Sequence, residues 1–270
     1  MAGIRQIASA MTIAGSDSGA GAGIQADLKT FAAFGVYGTS VLTAITAQNT
    51  LRVTDVLELP TSIVASQIDA ILSDIGTDAV KTGMLSSSAI IDTVADKLLE
   101  HHIVNLVVDP VMVAKSGDKL LQDEAVEAMR TRLIPLAAVV TPNAPEAQVL
   151  TGRKVETLDD ARTAAGELVA MGARVAVVKG GHLQGPATDI MYDGREFRAF
   201  THQRLDTTST HGTGCTFASA VAAGLARGTP VRDAVSQAKA YVTAAIRNAF
   251  PMGKGHGPLN HFYATWEREE

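Results

Sequence analysis

The only cysteine of the chain, Cys215, lies in the stretch "STHGTGCTFASA", behind a Gly-Thr-Gly turn and in front of an alanine-rich run that predicts a helix. Gly212, Thr213 and Gly214 allow a bend whose backbone N–H groups converge at the start of that helix. Because a helix N-terminus favours negative charge, this turn is suited to bind an anion. The same field predicts a lowered pKa for Cys215, whose thiolate would then accept a proton from an alcohol or attack as a nucleophile. A small, buried and inert cysteine is the alternative.

Candidate metal and phosphate ligands follow other apolar runs. The stretch "TPNAPE" places Asn143 and Glu146 three residues apart, on one face of a predicted first helical turn. Their oxygens suit a hydrated Mg²⁺ that also contacts phosphates. A capping box with Asn143 as N-cap is the alternative, and the two roles are compatible. Asp109 and Lys179 each end an apolar run, so they are candidates for holding metal and phosphate, or else solvated strand ends.

A glycine-rich loop at residues 15–23 separates the first predicted strand from the first predicted helix. It contains a GxGxxA pattern, but a dinucleotide site also needs an acidic residue at the end of the second strand. That strand ends in Gln48-Asn49-Thr50. We therefore interpret the loop as one that lets a small ligand approach the backbone and Asp27. The sequence has no GxxxxGK[ST] motif, which excludes a P-loop.

His211 precedes Cys215 by four residues, a spacing that suggests a Cys/His pair, although no residue that would orient the imidazole is identifiable. A cysteine hydrolase is therefore a rival hypothesis, but it leaves Asn143, Glu146 and Lys179 without a role. The 7 histidines show no HxxxH spacing and the single cysteine allows no CxxC, so a zinc site is not expected.

The elements that must position these residues alternate between apolar, strand-like runs and amphipathic segments of helical period. This rhythm predicts an α/β fold with a largely parallel sheet covered by helices on both faces. Ligands of such sheets bind beyond the carboxyl ends of the strands. The predicted strands are residues 10–15, 40–47, 78–84, 104–110, 137–143 and 173–181, with a hairpin at 188–200. The predicted helices include residues 65–75, 92–100, 214–226 and 231–247.

Composition narrows the class of protein further. The chain has 270 residues, 46% of them hydrophobic, and no long polar linker, so we expect a single domain over residues 1–270. The net charge of -5 and the absence of a basic run argue against a nucleic-acid partner. No apolar stretch approaches the ~20 residues that span a bilayer, so no membrane partner is expected. One cysteine excludes an internal disulfide and favours a cytoplasmic location. The apolar run near the N-terminus is interpreted as a first strand rather than a signal peptide.

Taken together, the motifs resemble those of the hydroxymethylpyrimidine/phosphomethylpyrimidine kinases of thiamine biosynthesis, a family of the ribokinase-like superfamily. The resemblance runs in order over nearly the whole chain, and as a set the motifs are highly specific. It implies a ribokinase-like fold with a small β element and a homodimer. It also implies two successive ATP-dependent phosphorylations of an aminopyrimidine alcohol, with Mg²⁺. The matching stretches are "AGSDSGAGAGIQADLKTF", "TAITAQNT", "KTGML", "DPVMVAKSG", "TPNAPEA", "KGGH", "THGTGCT" and "GKGHGPLNHF".

The resemblance also implies roles for individual positions. Most ribokinase-like sugar kinases carry an aspartate base in a "GxGD" loop, and Cys215 occupies that place here, behind Gly212, Thr213 and Gly214. The residues implied for the substrate pocket are Gln48, Asp27, Met84 and Val111. The residues implied for ATP are Lys179, Asn143 and Glu146, and those implied for the metal are Asp109, Asn143 and Glu146.

One position departs from the family pattern. Where the family often reads "SGGAG", this chain has Ala20 between two glycines, and the added methyl group is expected to narrow or stiffen the loop. The nearest rival within the resemblance is a pyridoxal kinase, whose substrate also carries a hydroxymethyl group on a nitrogen ring. Gln48 and Met84 favour the pyrimidine, and dual activity stays open. A non-catalytic sensor of the pyrimidine is the remaining alternative, which the complete set of catalytic residues disfavours.

Overall fold

The computed structural model of the chain describes residues 7–112 and 123–266. Within these ranges an eight-stranded sheet carries helices on both faces, and a separate two-stranded sheet lies beside it. This architecture confirms the predicted α/β class with a small β element. Among the described helices, none combines the length and the apolarity needed to cross a bilayer. The part of the "DPVMVAKSG" stretch beyond Met112 lies outside the described residues.

The strands form the two sheets in a simple order. The eight-stranded sheet has the order β10-β9-β8-β7-β6-β5-β1-β2, and β3 pairs with β4 in the small sheet. Strand β9 runs antiparallel to β8 and β10, and the other pairs of the large sheet are parallel. The bounds are β1 (Ser9–Ala14), β2 (Tyr37–Leu42), β3 (Ala44–Gln48), β4 (Val53–Glu58), β5 (Ala79–Thr82), β6 (Leu106–Val108), β7 (Val139–Val140), β8 (Ala176–Val178), β9 (Ala187–Tyr192) and β10 (Phe197–His202).

The helices divide between the two faces of the large sheet. Residues from α1, α7 and α8 form one apolar cluster, and residues from α2 to α6 form the other. Successive strand residues contribute to opposite clusters, as the pleat requires: Ala10 belongs to the first, Met11 and Ile13 to the second. The bounds are α1 (Gly23–Ala33), α2 (Thr61–Asp74), α3 (Ser88–Glu100), α4 (Asp123–Ala128), α5 (Ala144–Thr151), α6 (Leu158–Ala170), α7 (Thr213–Ala226) and α8 (Val231–Arg247).

The predicted strand at residues 40–47 is wrong in one respect, because it is divided between the two sheets. Thr43 separates β2 from β3, and its Oγ1 donates a hydrogen bond to the Met84 carbonyl oxygen at 2.7 Å. Its N–H donates to the Ala14 carbonyl oxygen at 3.1 Å. These bonds direct β3 out of the large sheet, so Gln48 lies on the small sheet above the strand ends. Strand β4 is absent from the predicted strands, and its residues are mostly exposed. The hairpin and the two final helices are confirmed.

Candidate active site

Most of the predicted site residues lie at one edge of the large sheet, where the parallel strands have their carboxyl ends. Gly15 follows β1, Asp109 follows β6 and Lys179 follows β8 directly, and Asn143 follows β7 after two residues. An isolated bridge pairs Asn143 with Lys179 and extends the parallel pattern past the strands. The sheet therefore brings together side chains that are far apart in sequence, as its topology predicts.

Helix α7 begins at this edge with the predicted anion-binding turn. Gly212 is the N-cap residue, with φ 79°. A Cβ atom at Gly212 would lie 1.8 Å from the Gly21 carbonyl oxygen, so this turn packs on the glycine-rich loop as only glycine allows. Both the N–H and the Oγ1 of Thr213 donate to the Thr210 carbonyl oxygen. Within the described ranges the N–H groups of Gly212, Gly214 and Cys215 have no backbone acceptor, which leaves them for an anion.

Cys215 lies where two helices begin. It is half-buried, and its sulfur accepts a hydrogen bond from the N–H of Gly23 in the first turn of α1. Burial raises the pKa of Cys215 to about 12, although the ammonium group of Lys81 opposes this change. The predicted lowering of this pKa is therefore wrong. Removing the thiolate from water costs more than the nearby ammonium group and the Gly23 N–H return, so Cys215 is a thiol at neutral pH.

Beside the start of α7, Lys179 and Asp109 form an ion pair. Lys179 Nζ lies 2.9 Å from Asp109 Oδ1, and both side chains are largely buried. Burial alone would lower the pKa of Lys179, but Asp109 and Glu146 outweigh it and raise the pKa. Asp109 Oδ2 is buried and has no hydrogen-bond partner among the described residues. A Cβ atom at Gly214 would lie 3.1 Å from Lys179 Nζ, so the turn faces this pair directly.

Asn143 and Glu146 form the capping box that the sequence offered as one of two interpretations. Asn143 Oδ1 accepts from the Glu146 N–H at 2.9 Å, and Glu146 Oε2 accepts from the Asn143 N–H at 2.7 Å. Burial raises the pKa of Glu146 to about 7, with Lys179 opposing and Asp109 reinforcing the change. The cap fixes Glu146 close enough to Lys179 and Asp109 for their charges to interact. The metal role of Asn143 and Glu146 stays a prediction.

The glycine-rich loop is organised by an acid that sequence analysis did not single out. Asp17 is almost fully buried, and its carboxylate accepts from the N–H groups of Gly19, Gly21 and Ala22 at 2.8 to 3.0 Å. His211 Nε2 lies 2.8 Å from Asp17 Oδ2. Burial alone would raise the pKa of Asp17, but the hydrogen bonds from His211, Ala22 and Gly19 outweigh it and lower the pKa.

Asp17 is therefore the partner that orients the imidazole of His211. Gln48 Nε2 lies 3.4 Å from His211 Nε2, so this pair also contacts the residue implied for pyrimidine binding. No hydrogen bond joins His211 to Cys215 in the part of the chain that the structure describes. The Cys/His pair that a cysteine hydrolase needs is absent from these residues, and that hypothesis loses its support.

Asp27 lies beneath the site rather than at its surface. Its side chain has no exposed area, and both of its oxygens contact Lys81 Nζ, at 2.9 and 3.0 Å. Thr12 and Ser219 each donate a further hydrogen bond to this carboxylate at 2.6 Å. The expectation that Asp27 lines the substrate pocket is not supported, because protein groups occupy both oxygens. The sequence contains one indication of this pair, because Lys81 lies inside an apolar strand and a buried lysine almost always has an acidic partner.

The other predicted pocket residues lie near this centre. Met84 is 8% exposed, and a Cβ atom at Gly15 would lie 2.4 Å from its Cε, so the methionine covers the start of the glycine-rich loop. Val111 is half-buried, and its N–H donates to the Asp109 carbonyl oxygen at 2.8 Å. Asn49 is exposed, and its Oδ1 accepts from the N–H groups of Leu51 and Arg52 in a turn. Asn49 thus shapes a loop rather than the site.

The start of α7, the pair of Lys179 and Asp109, and Glu146 lie together at one edge of the sheet. Phosphoryl transfer uses groups of these kinds, namely backbone N–H groups, a lysine and acidic residues. Fold and site together define a ribokinase-like small-molecule kinase. The sequence model of the phosphomethylpyrimidine kinase family matches residues 17–260, and the chain belongs to this family.

Similar proteins agree with this assignment. The chain is 53% identical over 257 residues to the hydroxymethylpyrimidine/phosphomethylpyrimidine kinase of Streptomyces coelicolor, covering 95% of each chain. It is 54% identical over 258 residues to the thiamine biosynthesis bifunctional protein ThiED of Geobacter sulfurreducens. The alignment covers 95% of this chain but only about half, 53%, of the length of the bifunctional protein. Among solved structures, an ADP complex of Bacillus subtilis pyridoxal kinase superposes with a TM-score of 0.91 at 42% identity, over 97% of this chain and 100% of that one.

Proposed function

We propose that this kinase phosphorylates 4-amino-5-hydroxymethyl-2-methylpyrimidine with ATP, first to the monophosphate and then to the diphosphate, for thiamine diphosphate biosynthesis. Family membership and the activity named for the Streptomyces coelicolor relative support this substrate. The observation that carries the proposal is the position of Cys215. Its sulfur accepts a hydrogen bond from the N–H of Gly23, where the glycine-rich loop ends. Cys215 itself lies in the first turn of α7, which is the proposed phosphate-binding turn.

Cys215 is the proton acceptor of the first step. Its thiolate takes the proton of the hydroxymethyl group as the oxygen attacks the γ-phosphorus of ATP. Because burial raises the pKa of Cys215 to about 12, the competent thiolate is a minor form, and the first phosphorylation accelerates as pH rises towards that pKa. In the second step the attacking oxygen belongs to an ionised phosphate, which needs no such acceptor.

The transferred phosphoryl group is held by the start of α7. The N–H groups of Gly212, Gly214 and Cys215 face the charge that grows on the phosphoryl oxygens, and Lys179 neutralises the phosphates of ATP. Thr213 shapes the turn through its two bonds to Thr210. Gln48 contacts the pyrimidine, with Met84 and Val111 beside it. Asp17 and His211 fix the glycine-rich loop, and His211 also contacts Gln48.

The acidic residues at the sheet edge fit a magnesium ion. Asp109 Oδ2 is buried without a hydrogen-bond partner among the described residues, and a hard cation suits such an oxygen. Asp109, Glu146 and Asn143 would hold Mg²⁺, directly or through water, and the side-chain amide of Asn143 would also donate to a phosphate. When bound, Mg²⁺ neutralises charge on the nucleotide phosphates.

The remaining expectations concern the whole protein. The chain acts as one kinase domain over residues 1–270 and as a homodimer in the cytoplasm, with no nucleic-acid or membrane partner. The cross-strand pair Ile45 and Leu57 on the small sheet supports the dimer, because these side chains are 46% and 62% exposed and form an apolar face. Ile45→Ser with Leu57→Ser should then give a monomer in sedimentation analysis, and a wild-type monomer would contradict the dimer.

Release of ADP tests the substrate. Hydroxymethylpyrimidine and pyridoxal are offered in parallel with MgATP, and each product is identified by mass. We expect the pyrimidine monophosphate and then the diphosphate. A second candidate is pyridoxal phosphorylation, which the similarity to Bacillus subtilis pyridoxal kinase favours. Turnover of pyridoxal alone would move the enzyme to vitamin B6 salvage, and turnover of neither would overturn the proposal.

A further inference from the structure

We propose that the buried ion pair of Lys81 and Asp27 controls how readily Cys215 loses its proton, with the two members acting in opposite directions. Lys81 favours the thiolate and Asp27 restrains it. Both are positioning residues that act through Cys215 and do not touch substrate. The inference rests on the proposed function in one respect: it gives the pair a purpose because Cys215 is the proton acceptor.

The pair is held rigidly in the interior. Neither side chain has any exposed area, and Lys81 Nζ contacts both Asp27 oxygens. Thr12 Oγ1 on β1 and Ser219 Oγ on α7 complete the shell of the carboxylate. A Cβ atom at Gly83 would lie 2.7 Å from Lys81 Nζ, so the glycine leaves room for the ammonium group. The position of the positive charge is therefore fixed by packing.

Two helices connect this pair to the sulfur. In α1, Gly23 donates its N–H to Cys215, and Asp27 lies one turn further along the helix. In α7, Cys215 itself is followed one turn later by Ser219, which donates to Asp27. Residues four apart lie on one face of a helix. The face of α1 that carries Gly23 and Asp27 therefore packs against the face of α7 that carries Cys215 and Ser219. The two helices contact each other at the sulfur and again, one helical turn further along each helix, at the carboxylate of the ion pair.

Four charged groups act on Cys215 from the elements packed around it: Lys81 on β5, Asp27 on α1, Asp109 after β6 and Lys179 after β8. Of the charges acting on the sulfur, Lys81 has the largest effect and lowers the pKa of Cys215, whereas Asp109 and Asp27 raise it. The ion pair is neutral as a whole but presents its positive member more strongly to the sulfur.

Stability alone does not account for such a pair. Removing two charges from water costs about as much as their attraction returns, and apolar residues of similar volume often replace a buried pair without loss of stability. A directed effect on a neighbouring thiol is a reason for the charges to be there. Because apolar residues can replace a buried ion pair, a variant in which both Lys81 and Asp27 are apolar should keep the fold even if the single substitutions do not.

The test measures the thiol directly. Cys215 is the only cysteine in the chain, so the rate of alkylation by iodoacetamide as a function of pH reports its pKa alone. At a pH well below that pKa, the rate follows the thiolate fraction, so raising the pKa by about one slows alkylation about tenfold. We expect Lys81→Met to slow alkylation about tenfold or more, and Asp27→Asn to accelerate it, because Lys81 then lacks its main counter-charge. In Lys81→Met the pH profile of the first phosphorylation should move upward, while the second phosphorylation keeps its profile.

Controls separate this effect from damage to the fold. Lys239→Met breaks another buried pair, Lys239 Nζ to Asp189 Oδ2 at 2.9 Å, and should leave the alkylation profile unchanged. The double variant Lys81→Met/Asp27→Leu replaces the whole pair by apolar residues, and its alkylation should be slower than that of the wild type but faster than that of Lys81→Met, because the restraint by Asp27 is removed as well. Equal changes in one direction from both single variants, or wild-type reactivity in the folded double variant, would overturn the inference. If the two single variants change the rate in opposite directions but Cys215→Ala keeps the first phosphorylation, the proton-acceptor role fails and the control of the thiol stands.

Discussion

His211 Nε2 lies 2.8 Å from Asp17 Oδ2, although the two residues are 194 positions apart in the chain. This contact joins the glycine-rich loop near the N-terminus to the anion-binding turn near the C-terminus. The packing of Gly212 against the Gly21 carbonyl oxygen reinforces the same junction. The glycine-rich loop and the turn at the start of α7 are thus held together by one small set of contacts.

Asp17→Asn should weaken this junction. Three backbone N–H groups and His211 lose a charged acceptor, so we expect the free energy of unfolding to fall by about 3 kcal/mol and the KM for the pyrimidine to rise. Asp78→Asn is the control, because Asp78 accepts hydrogen bonds from Ser9 at the opposite edge of the sheet. It should cost about 1 kcal/mol and leave KM unchanged. An unchanged KM in Asp17→Asn would contradict the role of the junction.

Gly212→Ala should abolish phosphorylation. Its Cβ would lie 1.8 Å from the Gly21 carbonyl oxygen, and its φ of 79° is strained for alanine. Gly228→Ala carries the same backbone strain, with φ 76°, but its Cβ meets nothing within 4 Å. Backbone strain should lower the free energy of unfolding of both variants by about 1 kcal/mol. Because of its additional clash, Gly212→Ala should lose several times that amount of stability and should also lose activity. Steady-state kinetics and chemical denaturation measure both effects, and equal behaviour of the two variants would exclude a specific contact.

Ala20→Gly should stabilise the protein. Ala20 adopts φ 60°, a left-handed conformation that costs an L-residue about 1 kcal/mol. Part of the gain is offset by the greater freedom of glycine in the unfolded chain, so we expect a net rise of about 0.5 kcal/mol. Ala22 has φ -135°, and Ala22→Gly should therefore destabilise. Calorimetry of both variants decides: a loss of stability in Ala20→Gly would show that the added methyl group makes compensating contacts.

His261 should make stability depend on pH. Burial lowers the pKa of His261 to about 4, while its Nε2 lies 2.9 Å from Thr216 Oγ1. In the unfolded chain His261 binds a proton as the pH falls through about 6.5, whereas in the folded chain it stays neutral until about pH 4. The free energy of unfolding is therefore highest, as far as His261 is concerned, above pH 6.5, and it falls as the pH falls towards 4. This linkage amounts to about 3 kcal/mol. His261→Asn should remove it from the pH profile of unfolding, whereas exposed His256→Asn should not, and an unchanged profile in His261→Asn would refute the assignment.

Local sequence patterns predict the parts of this site that depend on strand ends. Asp109 and Lys179 directly follow buried apolar runs, and a parallel sheet brings such positions to one edge. The cap between Asn143 and Glu146 is also predictable, because it spans three residues. These features require only local spacing and the known order of strands and helices.

Features that depend on tertiary packing are not predictable in this way. The partner of His211 is 194 residues away, and no local pattern indicates it. The raised pKa of Cys215 is the net result of burial and of charges from several elements that are distant in the sequence. The division of residues 40–47 between two sheets likewise depends on Thr43 bonding to Met84, a residue on a distant strand end.

The most direct test of the account is the effect of Cys215→Ala on the two phosphorylations, measured separately with the alcohol and with the monophosphate as substrate. We predict that the first step loses at least about a hundredfold in rate, the usual contribution of a general base. The second step, whose nucleophile is already ionised, should change little. Equal losses in both steps would contradict the proton-acceptor role and indicate that Cys215 serves packing or anion binding instead.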